Sequence, residues 1–421
     1  MPEKGLFRSK DLGGGFRVHL YRTQAFKTIH AHLVFHADLD DATAARALVP
    51  RVLGRGTQRY PDLRSFQTAL DLLFGATLTG DARKIGERQL LVYRAEWVTD
   101  RFAGQPLLAE MGRIWGELLH EPASDADGGL RESFILQERK MQADEAEAVF
   151  DDKGRYARHR LIEEMCKGEA FARPAYGRVA EIRALSVDDV RRAHRQVIER
   201  APADLFVVGD LSWTHAVRLA RGLKLSPNRK TARIRKTRRR PVKKVRTIQE
   251  KRDIGQGKLE MGFRTSIGLS STLYPSLVLT NVLFGGSPVG KLFKTVREQA
   301  SLCYSISSGV ERTKGLVLVQ AGIDPKNYAQ ARRLILKQLD ELRAGRVSDE
   351  EFGRAREILL SSMRSMRDSP AALTEFALER SVNGVADDFE GLMKELGAVT
   401  VGDIKKAART VQLDTVYFLK G

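Results

Sequence analysis

Cysteine is nearly absent: Cys166 and Cys303 are the only two in 421 residues. That excludes a disulfide framework and a cysteine-rich zinc site, and two reduced thiols fit a cytoplasmic protein. No apolar run approaches the roughly 20 residues needed to cross a bilayer, and the opening MPEKGLFRSKDLGGGFRVHLYR enters a strand pattern without a signal-peptide core. Also missing are a Gly-x-Ser-x-Gly elbow, a Gly-x-x-x-x-Gly-Lys-Ser/Thr phosphate loop, a dinucleotide fingerprint and a Cys-x-x-Cys pair. The glycine clusters Gly13-Gly14-Gly15 and Gly285-Gly286 read as turns.

What is abundant is positive charge, and it is concentrated. The net charge is +18, yet Arg229 to Arg252 alone holds 13 Lys or Arg against the single acid Glu250, leaving +6 for the rest. This run follows Ser226-Pro227-Asn228, contains Pro241 and reads as an exposed, extended connector. Trypsin is expected to cut there and leave two fragments of similar size. Such a run attracts phosphates, but no aromatic lies between Pro227 and Met261 to stack a base, so nucleic-acid binding is disfavoured. A solvated linker is preferred to a strip that docks on an acidic partner.

The second feature is a repeat. LSVDDVRRAHRQVIERAPADLFVVGDL begins at Leu185, and VTVGDIKKAARTVQLDTVYFLKG begins at Val399. Each opens on a capping hydroxyl, Ser186 or Thr400, with an acid three residues on, Asp189 or Asp403, then a basic amphipathic helix and an apolar strand. Leu73–Tyr93 also superposes on Leu302–Gln320. The chain is therefore expected to form two homologous domains, residues 1–225 and 253–421, joined by a basic linker, 226–252.

Within the first half, residues 16–36 alternate as a strand pair, helices are expected from about Ala42 to Leu53 and over DLRSFQTALDLL, and a hairpin turns at Asp81–Glu87. Longer helices follow near Gln105–Leu119 and Leu130–Glu164. The second half repeats this order, including a helix capped by Ser348 with Glu351 at its capping-box position. Hairpins with helices packed on one side of the sheet make the fold class α+β. His30, His32 and His36 share one strand face, but residues 30 and 36 lie about 20 Å apart along an extended strand, too far for one metal.

The duplicated α+β halves and the run FGGSPVGKLFKTVREQASLCYSISSGV closely resemble the pitrilysin/insulinase family of zinc metallopeptidases, which includes the mitochondrial processing peptidases. The resemblance covers essentially the whole chain. It implies two processing-peptidase-like domains, each a mainly antiparallel sheet with helices packed on it. In that family a first-half helix carries His-x-x-Glu-His just before Gly-Thr; two His and a distant Glu hold zinc, and the motif Glu activates water.

The matching segment here is RALVPRVLGRGT, and no His-x-x-Glu-His occurs anywhere. Anchored on Gly56-Thr57, it puts Ala47 and Arg51 at the histidine positions and Pro50 at the general base. None of the three can ligate or deprotonate, and Arg51 is a permanent cation. Glu138 in FILQERK matches the distant ligand; read by itself it is an exposed helix carboxylate. The resemblance also matches Arg297 and Tyr304, seven residues apart, to a family pair that reaches substrate at the zinc site. Without it, Arg297 reads as a surface helix residue and Tyr304 as a hairpin core aromatic.

The stretch DDKGRYARHRLIEEMCKGEAFARPAYG is similar to the family's non-catalytic bacterial branch. The resemblance thus implies a subunit with no metal or cofactor of its own, catalytically incomplete, paired with a zinc-bearing homologue. It would lend Arg297 and Tyr304 to act on peptides or unfolded polypeptides. The alternative is a pseudoenzyme that binds peptides or scaffolds an assembly without turnover. No membrane association is expected.

Overall fold

Phe16–Arg22 (β2) and Thr28–Asp38 (β3) alternate as expected, but they do not pair with each other. In the computed structural model, which describes residues 5–421, the late strand Ala203–Gly209 (β6) inserts between them, parallel to β2 and antiparallel to β3. Arg8–Asp11 (β1), Thr77–Ile85 (β4) and Arg88–Val98 (β5) complete a sheet of order β1-β2-β6-β3-β5-β4. The β4–β5 hairpin turns at Gly86-Glu87, a tighter reversal than Asp81–Glu87.

The second sheet repeats the plan. Arg246–Lys251 (β7), Gly257–Arg264 (β8), Cys303–Glu311 (β9), Leu316–Ile323 (β10) and Gln412–Lys420 (β11) run β7-β11-β8-β10-β9, with β11 parallel to β7 and antiparallel to β8. Residues 246–251 of the basic run are thus a strand and not connector.

Both halves feed their inserted strand from a helix closed by a reciprocal capping box, Ser186 with Asp189 and Thr400 with Asp403. In the first sheet Ile29, Ala31, Leu33 and Phe35 face a core shared with the helices Thr43–Leu53, Leu108–His120 and Val187–Arg200. The opposite parity carries His30, His32 and His36, and these three converge on no common partner. His36 and His19 donate through Nε2 to Asp204 at 2.9 and 3.0 Å, while His30 lies 3.5 Å from Glu96.

The helix expected over Leu130–Glu164 breaks in two, Glu132–Ala148 and Lys153–Met165, where the Asp152 side chain accepts from the Gly154 and Arg155 amides. The break marks a change of unit. Residues 5–147, Arg173–Lys236 and Asp368–Glu379 form one compact unit, and Ala148–Ala172, Thr237–Arg367 and Arg380–Gly421 form the other. Tyr156, Leu161 and Met165 pack with Leu316, Leu318 and Tyr417 in the second unit. Their helix comes so near β8 that a Cβ on Gly262 would lie 2.5 Å from the Met165 sulfur. Conversely, Glu375 joins the first unit, 2.6 Å from Arg83.

Between β6 and β7 the basic run is extended and largely exposed, yet tethered. Arg229 donates to the carbonyls of Ile198 and Ala201, Arg235 to Asp38 at 2.9 Å, and Arg240 to the Gly168 carbonyl at 3.2 Å. Because each half donates a segment to the other half's unit, tryptic fragments cut within 229–245 should co-elute on native size exclusion and separate only in denaturant. Separation without denaturant would show that the exchanged segments are dispensable.

One acid tests the packing under the 153–165 helix. Glu260 on β8 is buried with Arg158 2.7 Å away, and burial outweighs that cation, lifting its carboxyl from 4.5 to about 7. Between those values the folded chain binds more protons than the unfolded one, so this group's contribution to stability falls as pH rises. Glu260→Gln should therefore gain on the parent in melting temperature from pH 5 to pH 8, by on the order of a few degrees. A pH-independent difference would mean that Glu260 ionises normally.

Candidate functional site

The 43–53 helix places Ala47 in the core and turns Arg51 outward at its last turn. Pro50 lacks the amide that would bond the Arg46 carbonyl. It packs against β4 where a Cβ on Gly80 would lie 2.8 Å from the Pro50 ring, so helix and strand meet without a side chain between them.

Arg51 is held by acids. Its Nε donates to Glu138 at 2.8 Å, and its two terminal nitrogens donate to both oxygens of Glu145 at 2.8 and 2.9 Å. Arg55 donates to the remaining oxygen of Glu138. Glu138 is only 4% exposed, which corrects its reading as an exposed helix carboxylate. The sequence reading missed Glu145; seven residues after Glu138, it returns to the same helix face after two turns. Burial pulls the Arg51 pKa down, but the bonds to Glu145 and Glu138 carry it above the ordinary value.

The chemistry of this position follows from the donor set. Two fixed cations, Arg51 and Arg55, engage every oxygen of both carboxylates, and neither a neutral nitrogen ligand nor a general base stands at 47, 50 or 51. Among the described residues no cluster of three or more His, Cys, Asp or Glu is placed to hold a metal ion.

In the second unit, Gly285 and Gly286 close a π-helical turn, Val282–Gly286, rather than a simple loop. A Cβ on Gly286 would lie 2.4 Å from the Asn281 side-chain nitrogen. A second π-helical segment, Phe293–Gln299, carries Arg297. Ser301 then takes a left-handed conformation (φ 51°), and Leu302 N–H bonds the Val296 carbonyl at 3.0 Å before β9 begins. Left-handed serine costs on the order of 1 kcal/mol.

The reversal sets Tyr304 beside Arg297. The guanidinium carbon lies 4.4 Å from the Phe293 ring centroid and 5.8 Å from that of Tyr304. Tyr304 is 80% exposed, although Leu302 and Cys303 just before it are buried. This overturns its reading as a core aromatic. Arg297 has no carboxylate partner among the described residues. Burial lifts the Cys303 thiol to about 11 against the pull of Arg297, so it is no nucleophile.

A family profile described as peptidase M16 inactive domain matches residues 184–359. The chain is 32% identical over 415 residues to the probable inactive metalloprotease YmfF of Bacillus subtilis, covering 98% of this chain and 97% of that one. Among solved structures, a conserved protein from Enterococcus faecalis is similar at TM-score 0.90 and 25% identity over 99% of both chains. The peptidase M16 inactive domain from Pseudomonas fluorescens is similar at TM-score 0.79 and 16% identity over 98% of both. The chain belongs to the pitrilysin/insulinase family of metallopeptidases, M16, as one of its inactive members. No helix among the described residues is long and apolar enough to cross a membrane.

The purified chain should contain no stoichiometric zinc by elemental analysis, and a chelator should leave its melting temperature unchanged. About one tightly bound zinc per chain would overturn the reading of Arg51. Arg51→Ala should destabilise the fold by about 1–3 kcal/mol in chemical denaturation, since Glu138 and Glu145 lose charged donors.

Proposed function

We propose that this chain is the catalytically incomplete subunit of a two-chain zinc metallopeptidase, with Arg297 and Tyr304 its contribution to substrate at the site of a zinc-bearing homologue. The carrying observation is that pair, side by side, with the phenol 80% exposed and the guanidinium free of any carboxylate among the described residues. A guanidinium holds peptide carbonyls in a fixed orientation, and a phenol donates to the oxyanion that forms as water attacks. The metal and its activated water come from the partner. Substrates are peptides or unfolded polypeptides.

The free edges favour a second reading, a pseudoenzyme that binds extended peptides without turnover. β4 and β9 each pair on one side only among the described residues, and an unpaired edge accepts a peptide strand. Co-expression with an M16 homologue that carries His-x-x-Glu-His separates the two. An active complex supports the first reading; peptide binding without hydrolysis in any pairing supports the second.

In the active complex, Tyr304→Phe should preserve assembly and zinc content while lowering turnover roughly 10- to 1000-fold, the scale of one lost oxyanion donor. Arg297→Ala should raise KM, lower kcat, or both, according to how much of its contact exists only in the transition state. Size exclusion distinguishes lost activity from lost assembly. Full activity in the double variant would refute the role.

A further inference from the structure

The second unit has a cavity of about 550 Å³ where the basic run passes the end of the 153–165 helix. Its size suits a small ligand. Six cations and two carboxylates line it, a net of four positive charges if all are ionised. The carboxylates are already satisfied. Asp414 receives Arg264 Nε at 2.7 Å with Arg246 at 3.5 Å, and Glu169 receives Arg264 and Lys314, each at 2.6 Å. Burial pushes Glu169 towards protonation, but Arg264 and Lys314 outweigh it and keep it ionised.

The remaining charge stands at the walls. Lys167, Lys243 and Lys244 are exposed and have no carboxylate partner among the described residues, and Arg240 has only a weak one, Glu169 at 4.0 Å. Four cations around one cavity repel one another, and among the described residues only the distant Glu169 offsets any of that cost. A multiply charged anion does. No aromatic ring lines the cavity, which leaves nothing to stack a nucleobase. Sulfate's two charges are too few for these cations.

We infer that this cavity is a binding site for a compact oligophosphate anion, held by Lys167, Arg240, Lys243 and Lys244. Its occupation ties the 240–246 stretch to the floor made by Glu169, Arg264 and Asp414. This site is independent of Arg297 and Tyr304, and the proposed peptidase role does not bear on it.

Isothermal titration of the full chain with inorganic triphosphate at 0.15 M salt tests the inference. One site per chain is expected, weakened about tenfold or more by Lys243→Ala/Lys244→Ala, the scale of one or two lost cation–phosphate contacts. Lys243→Arg/Lys244→Arg should retain binding. Arg233→Ala/Lys236→Ala, equally exposed in the same run but outside the cavity, should leave it unchanged. Triphosphate should also slow tryptic cleavage after Lys243 and Lys244 and not after Arg233 or Lys236. No binding at millimolar triphosphate, or sulfate binding as tightly, overturns the site. Equal losses in the two alanine pairs, or a short DNA duplex that binds more tightly and ignores the Lys243/Lys244 change, would show the whole run acting as a polyelectrolyte and equally overturn it.

Discussion

In each half the last strand enters a gap between two earlier ones and carries an aspartate into a buried place, Asp204 in β6 and Asp414 in β11. A buried carboxylate is costly unless charged donors meet it. Asp204 meets a bidentate Arg17 at 2.8 and 2.9 Å together with His19 and His36. Burial pushes its pKa up, but the bonds from His19 and His36 prevail and hold it well below the ordinary value. Asp414 meets Arg264, at a bulge where β11 shifts register against β8. A slip by one residue would turn each aspartate into an apolar core, so register and electrostatics enforce each other. With the centre of each sheet closed this way, β1, β4, β7 and β9 remain as edges; β4 lies next to Pro50, and β9 carries Tyr304.

The two candidate positions carry different kinds of chemistry. At the first stands a guanidinium bonded to two carboxylates and unable to release a proton. Glu138 serves both arginines: without it Arg55 would be a partly buried cation with no carboxylate partner among the described residues, and Arg51 would keep only Glu145. At the second, a strained serine and two π-helical segments keep a phenol in solvent beside an arginine. Strain and exposure of this kind do not stabilise a fold.

Sequence reading succeeded where the signal was local. The paired caps at Ser186 and Thr400 and the helix at 43–53 are written in a few consecutive residues. It failed where the signal was distant. Nothing near Phe16 or Thr28 announces that a strand from residue 203 will separate them. Nor does Tyr304 announce its exposure, which depends on the left-handed turn three residues earlier. Two misses were recoverable: Asp151-Asp152 marks a new helix start inside 130–164, and Thr247-Ile248-Gln249-Glu250 alternates enough to reveal β7 within the basic run.

The basic run is best understood through its partners. Its cations are neutralised wherever the passing surface supplies an acceptor: carbonyls for Arg229 and Arg240, Asp38 for Arg235, Glu250 for Arg252. Glu250 also accepts from Tyr156 and Tyr417, and although burial pushes it up, these phenols and Arg252 bring it to about 2. A merely solvated linker has no need of such specific acceptors, and a nucleic-acid strip would leave its cations free along its length. The pairing is instead uneven, dense where the run turns into β7 and sparse around Lys243 and Lys244. Arg233 and Lys236 carry no ion pair among the described residues either, but Lys243 and Lys244 line a cavity with two further exposed cations, Lys167 and Arg240, and there an external anion would meet several charges at once.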